Sequence, residues 1–317
     1  MKKILFPVGC RSDEGLSLPV IKRLKEAGYN VRICELDPNN FVYSYQLVDF
    51  LCAGNDTVEV KTRGKPDLVV IVGDRVEMTA AAAAAFHNRI PICHVYAGVT
   101  NIPITTFDDI DRHCITLWAD MHLCENKEAC QMVESICSGI KACYPEVVGI
   151  THLDDMEIDE SLVPYHTNPE PMMYFPKFVF PTDYDLILYN TPTTTDYRPE
   201  VYAMEEIIAR EGNYRILIGG NPDGEAETET KLIEMMNQFY PSLPRAQFLG
   251  LLKNCKRFIT NSSSAIYEAP YFLKPEQIIM IGQRNRNRPK VDCQPGGSDR
   301  IVKAIQEYLE AFDDTKM

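Results

Sequence analysis

Residues 68–72 read Leu-Val-Val-Ile-Val, and this run constrains the chain more than any other stretch. An unbroken apolar run of strand length, rich in β-branched residues, makes a buried strand. Gly73-Asp-Arg75 closes it, and residues 78–87 follow as an alanine-rich helix small enough to pack tightly on a sheet. The same rhythm opens the chain. Residues 3–8 are an apolar run, residues 9–13 a polar turn, and residues 16–27 a helix by the spacing of Leu16, Val20, Ile21 and Leu24. Residues 31–36 are the next strand. Strand–turn–helix–strand units predict an α/β fold with a parallel sheet and ligands at the strand ends. The first turn is not Gly-x-Gly-x-x-Gly, so a nicotinamide dinucleotide is not indicated and no cofactor is expected.

Residues 43–51 fit a helix or a strand. Residues 90–96 form a strand that ends at Ala97-Gly98, so two successive strands close on polar or glycine turns. A helix follows residue 107. Asp108 and Asp109 suit its N-terminus by charge, and Arg112 and His113 fall one turn later. Residues 121–124 and 147–149 are short strands on either side of a helix at 127–140. Five prolines with aromatics among them occupy residues 164–181, which excludes a regular helix or central strand and marks a linker. The expected domains are therefore 1–163 and 182–312, with a tail at 313–317. The second half repeats the rhythm, with strands at 186–189, 216–218, 258–259 and 278–281. Helices are expected at 200–210, 227–239 and 299–312.

Residues 258–268 read Phe-Ile-Thr-Asn-Ser-Ser-Ser-Ala-Ile-Tyr-Glu. A buried strand gives way to Asn261, Ser262, Ser263 and Ser264, and a helix follows. Asn and Ser are preferred helix N-caps, and this run holds more caps than one helix needs. The bland reading is a well-capped helix. The functional one is an anion cradle of surplus hydroxyls and amides, with Glu268 one turn on to accept two sugar hydroxyls. The loop Gln283-Arg-Asn-Arg-Asn-Arg288 is either solvated or a diphosphate contact through Arg284 and Arg288.

A length of 317 residues allows two cores. The net charge of −13 argues against a broad nucleic-acid surface. No apolar run is long enough to cross a bilayer, and the apolar part of the N-terminus is too short for a signal peptide. The eleven cysteines include no Cys-x-x-Cys, and Cys124, Cys130, Cys137 and Cys143 match no common zinc spacing. They read as reduced and structural, in a cytoplasmic protein without a metal site.

Six motifs in order carry a resemblance. They are Gly9-x-Arg-x-Asp13, Pro66 through Gly73-Asp-Arg75, Ile90-Pro-Ile-Cys-His-Val-Tyr-Ala-Gly98, Asp108-Asp-x-x-Arg-His113, Asn261-Ser-Ser-Ser-x-x-x-Glu268 and Gly282-x-Arg-x-x-x-Arg288. Together they resemble the UDP-N-acetylglucosamine 2-epimerases, and more closely the hydrolysing, sialic-acid-pathway branch. The resemblance implies a glycosyltransferase B fold, in which two Rossmann-like domains face each other across a cleft that holds a UDP-sugar. It also implies a homodimer. This chain departs from the family pattern in a shorter stretch at residues 37–65 and at two single positions. Tyr96 stands where the family has a glutamate, and Thr191 where it has a histidine.

Epimerisation at the 2-position expels UDP and removes the 2-proton to give a glycal, to which water adds in the hydrolysing branch. It needs a base, an acid and positive charge on the departing diphosphate. The acid–base candidates are Asp13, Asp74, Asp108 and His113; for His113, packing within a helix is the competing reading. The cationic candidates are Arg11, Arg75, Arg112, Arg284 and Arg288. A UDP-sugar glycosyltransferase of the same fold, or a non-catalytic sugar-nucleotide-binding relative, would need fewer acid–base groups, and fold alone does not choose.

Overall fold

The structure, a computed structural model, describes residues 1–9, 11–37, 40–53, 64–100, 107–164, 183–190, 198–209, 213–220, 232–282, 285, 288 and 295–314. The chain divides into two compact units. One comprises Met1–Asp154 with Arg288–Met317, the other Asp155–Asn287.

The first unit alternates β1 (Lys3–Val8), α1 (Arg11–Glu26), β2 (Asn30–Glu35), α2 (Phe41–Ala53), β3 (Leu68–Val72), α3 (Val76–His87), β4 (Ile92–Val95), α4 (Phe107–Trp118), β5 (Met121–Cys124), α5 (Lys127–Cys137) and β6 (Glu146–Val147). Its sheet is parallel in the order β2-β1-β3-β4-β5-β6. Every residue of β3 is buried, as its unbroken apolar run requires. Ala80 through Ala85 are all buried as well, so α3 lies close on the sheet and on α2. Residues 41–53 settle as a helix. The predicted polar turn after β1 is shorter than expected, because α1 already begins at Arg11 and takes Asp13 into its first turn.

The second unit holds β7 (Tyr184–Leu188), α6 (Arg198–Ala209), β8 (Tyr214–Ile218), β9 (Gln238–Tyr240), α7 (Arg245–Asn254), β10 (Arg257–Thr260), α8 (Ser264–Tyr267), α9 (Ala269–Phe272) and β11 (Ile278–Met280). The sheet is again parallel, in the order β11-β10-β7-β8-β9. One apolar cluster on it gathers Tyr184, Leu186, Leu249, Leu252 and Phe258; the other gathers Ile187, Met204, Leu217 and Ile259. Here the expected helix at 227–239 is corrected, since residues 238–240 are the edge strand β9.

The domain boundaries also differ from expectation. The closing helix α10 (Gly297–Asp314) belongs to the first unit, not the second. Its start is held by Asp154, whose carboxylate accepts the amides of Gly296 and Ser298. A Cβ on Gly297 would lie 2.0 Å from the Ile150 carbonyl oxygen, so only glycine permits this approach. Arg23 Nε meets Asp299 Oδ1 at 2.6 Å, and Arg300 Nε donates to the Val148 carbonyl at 2.6 Å. At the other boundary the second unit already begins at Asp155. The Asp159 amide donates to the Ala246 carbonyl at 3.0 Å, within that unit. The predicted tail starts inside α10, which runs to Asp314. The proline-rich segment lies outside the described residues from 165 onward.

Candidate functional site

Sheet order decides where each unit can hold a ligand. In the first sheet the winding reverses between β1 and β3; in the second it reverses between β7 and β10. Loops leaving such neighbours turn to opposite faces of the sheet and open a crevice at the strands' carboxyl ends. Three predicted polar turns stand at these places: Gly9 follows β1, Gly73-Asp-Arg75 follows β3 and the serine turn follows β10. Asn190 follows β7, and the turn predicted at 191–196 lies outside the described residues.

In the first unit the Gly9 amide donates to Asp13 Oδ2 at 3.3 Å. Gly73 has φ 91°, a conformation that favours glycine, and turns the chain after β3. Arg112, from the second turn of α4, donates to Asp74 through Nη2 and to the Tyr96 carbonyl through Nη1 at 3.3 Å. Asp74 and Arg112, candidates from separate motifs, are therefore one ion pair. His94 supports it from beneath. Its Nε2 lies 3.1 Å from the Gly73 carbonyl, which only accepts, so the neutral ring carries its proton on Nε2. Its Nδ1 lies 3.2 Å from the Thr116 hydroxyl, which also reaches the Arg112 carbonyl at 2.9 Å. Burial pulls the His94 pKa down to about 3.

The remaining candidates separate. Asp108 is half-buried at the start of α4, and its neighbour Asp109 is fully buried. His113 is half-buried with Nε2 unpartnered among the described residues, and burial lowers its pKa. Arg75 Nε donates to Glu77 Oε1 at 2.7 Å. Glu77 was missed in the sequence because it reads as an ordinary first-turn acid of α3, and only the fold shows it buried. Arg11 opens α1. Arg288 is half-buried and falls in the first unit; Arg284 and Thr191 lie outside the described residues.

Tyr96 is buried, with φ 64° in a left-handed conformation that a bulky residue rarely adopts. Its hydroxyl accepts the Thr151 amide at 2.9 Å and lies 2.9 Å from Thr151 Oγ1. Since Thr151 Oγ1 donates onward to the Leu16 carbonyl at 3.0 Å, the phenol proton goes to Thr151. Burial raises the phenol's pKa. Tyr96 thus braces the turn that aims its own carbonyl at Arg112, and its hydroxyl has no role left as an acid.

In the second unit Asn261 is fully buried and spent on the fold. It accepts the Asn190 amide at 2.8 Å and donates to the Asn190 carbonyl at 2.6 Å, while Asn285 donates to its own carbonyl at 2.6 Å. Its side chain is committed to holding the turn after β7. The capping expectation changes. Ser263 stands at the N-cap with no side-chain cap bond, and Ser262 Oγ accepts the Ser264 amide at 3.3 Å instead. α8 is a single turn, broken before Pro270, so little helix dipole stands behind the serines. Ser262, Ser263 and Ser264 remain half-exposed. Glu268 is 4% exposed, and its Oε1 meets Arg245 Nη1 at 3.0 Å. Arg245 was not singled out in the sequence, because it lies on a different helix, α7.

Among the described residues no group of three or more His, Cys, Asp or Glu side chains is placed to hold a metal ion, and no helix is long and apolar enough to cross a membrane. The nine described cysteines are all free thiols.

Two Rossmann-like parallel α/β units, each gathering polar groups at the switch point of its sheet, define the fold class. The family model for UDP-N-acetylglucosamine 2-epimerase matches residues 53–317, and the chain belongs to that family. It is 29% identical to the UDP-N-acetylglucosamine 2-epimerase of Neisseria meningitidis serogroup B, over 91% of this chain and 81% of that protein. It is 25% identical to the hydrolysing UDP-N,N'-diacetylbacillosamine 2-epimerase of Legionella pneumophila, over 92% of this chain and 84% of that one. Among solved structures, the Staphylococcus aureus MnaA–UDP co-structure superposes with a TM-score of 0.72 at 18% identity, covering 98% of this chain and 97% of that chain.

Proposed function

We propose that this protein is a UDP-N-acetylhexosamine 2-epimerase that acts on UDP-N-acetylglucosamine by the hydrolysing course, which releases UDP through a glycal. The observation that carries this reading is the position of the polar groups, at the switch point of each sheet. The second unit supplies the nucleotide contacts, with hydroxyls from Ser262, Ser263 and Ser264 and with Glu268 for the ribose. The first unit supplies the chemistry. Arg75 and Arg112 stabilise the departing diphosphate, with Arg11, Arg284 and Arg288 as further cations. Asp74 and Asp108 carry the 2-proton, Asp13 shapes the turn around them, and His113 is a further acid–base candidate. The engaged phenol of Tyr96 favours a second reading, a UDP-sugar glycosyltransferase, which needs only one base.

Incubation with UDP-N-acetylglucosamine in deuterated water, followed by proton NMR, tests the reading. UDP release and deuterium at the sugar 2-position are expected. Neither signal after long incubation, with sugar transfer to an offered acceptor, would establish the glycosyltransferase instead. We further propose a cytoplasmic homodimer. The free thiols fit a reducing compartment. Val42, Tyr43, Phe50, Phe86, Phe107 and Ile110 are exposed apolar side chains on α2, α3 and α4, which pack on one another in sequence and fit a dimer surface. Sedimentation gives the assembly state.

A further inference from the structure

We propose that Glu77 is a positioning residue for Arg75 and takes up a proton when a diphosphate binds. The proposal rests on the reading above, in which Arg75 meets the diphosphate of a UDP-sugar.

Glu77 is the second residue of α3, and its side chain is 0% exposed. Carboxylates are almost never so buried without a strong partner. One oxygen, Oε1, accepts from Arg75 Nε at 2.7 Å. The other, Oε2, is buried and has no hydrogen-bond partner among the described residues. Such an oxygen is costly as part of an anion and suits an oxygen that carries a proton. The side chain is held there by the strand-end turn of β1. A Cβ on Gly9 would lie 2.2 Å from Glu77 Oε1 and 2.4 Å from its Cγ. Gly9 has no positive φ, so glycine stands there to admit the carboxyl rather than to bend the chain. One motif glycine and one motif arginine thus converge on an acid that neither motif announces.

The charged groups acting on Glu77 come from two elements. Arg75 precedes α3 and favours the carboxylate; Asp13, from α1, disfavours it. Burial is the larger influence, and it raises the carboxyl's pKa. A diphosphate arriving at Arg75 brings negative charge and competes for the guanidinium. The carboxylate then loses part of its compensation while Asp13 stays near, so the neutral acid is favoured. Binding draws one proton from solvent onto Oε2, and no bond to the ligand is made. The Arg75 side chain keeps its hydrogen bond to Oε1 and its aim, with its full charge available to the ligand.

UDP-glucose is the probe, because its doubly esterified diphosphate does not titrate near neutrality. Calorimetry in buffers of different ionisation enthalpy counts the protons taken up. Wild type is expected to take up a fraction of a proton approaching one, with affinity rising by up to about tenfold per pH unit as the pH falls through the Glu77 range. Glu77→Gln, which keeps the acceptor for Arg75, should abolish both the uptake and the slope. Asp13→Asn, which keeps an oxygen for the Gly9 amide, should move the uptake to lower pH, and it serves should Glu77→Gln fail to fold. Absence of uptake in wild type, equal uptake in Glu77→Gln, or uptake unmoved in Asp13→Asn overturns the inference and leaves the epimerase reading standing. Failure of wild type to bind either UDP-glucose or UDP overturns both.

Discussion

The Tyr96 hydroxyl accepts the Thr151 amide at 2.9 Å and gives its proton to Thr151 Oγ1, also at 2.9 Å. Tyr96 is therefore a brace, although it stands in the motif where the family carries a glutamate. Tyr96→Phe should leave the buried Thr151 amide without its acceptor and lower stability by about 1–3 kcal/mol. Urea unfolding measures this. Stability equal to wild type would remove the brace from the account. Tyr96→Glu should cost more, since it buries a carboxylate in the same place.

Half-buried Asp74 forms an ion pair with buried Arg112, and Asp74 is proposed to move the 2-proton. Asp74→Ala takes the carboxylate from a buried guanidinium and should cost about 3–5 kcal/mol. Asp74→Asn keeps an acceptor for Arg112, so it should remain folded while UDP release falls by about 10²-fold or more. Wild-type turnover in Asp74→Asn would exclude Asp74 from the proton transfer.

Glu268 and Arg245 meet at 3.0 Å, with Arg245 34% exposed. Glu268→Ala should weaken UDP binding by about ten- to a hundredfold, the worth of a charge-assisted hydrogen bond. Arg245→Ala should weaken it less, because a half-exposed cation adds only aim to an acid already in place. Calorimetry with UDP tests both. Unchanged affinity in Glu268→Ala would remove it from the nucleotide site.

Stability should depend on pH through the buried histidines. His94 has a pKa of about 3 in the fold, lowered by burial, against about 6.5 in the unfolded chain. Burial lowers His113 and His122 as well. The unfolded chain takes up these protons first as the pH falls. Stability is therefore full above about pH 6.5 and declines toward pH 3, by about 1.4 kcal/mol per unit for His94 alone. Glu77, raised in the fold, works in the opposite sense over its own range. Urea midpoints across this range, compared with His94→Gln, isolate the histidine. An equal slope in the variant would refute its contribution.

The strands and their turns were legible in the sequence because they rest on local chemistry. The unbroken run of β3 has to be buried on both faces, and Gly73 has to turn the chain where φ is positive. Once strands alternate with helices, parallel sheets follow, and the motif turns fall at strand ends. The helix expected at 227–239 overran into β9 because Gln238–Tyr240 lies at the edge of its sheet and is only half-buried, which weakens its strand pattern. The closing helix was assigned by order along the chain, whereas it packs by surface, through Asp154, Gly297 and Arg300, onto the first unit.

Within the site, Glu268 was nominated by its place one turn past the serine run, whereas Asp74 and Arg112 were nominated by the motifs that resemble the epimerase family. What each side chain is spent on was decided by tertiary structure. Asn261 closes the β7–β10 switch point, Tyr96 braces a turn, and Glu77 is drawn into the interior against Gly9. The sequence by itself determined the parallel α/β architecture and the turns that gather polar groups, since burial pattern and backbone conformation are properties of short stretches. Only the tertiary structure decided which of those groups are left for a ligand, since a hydrogen bond between residues 96 and 151 depends on neighbours that no short stretch contains.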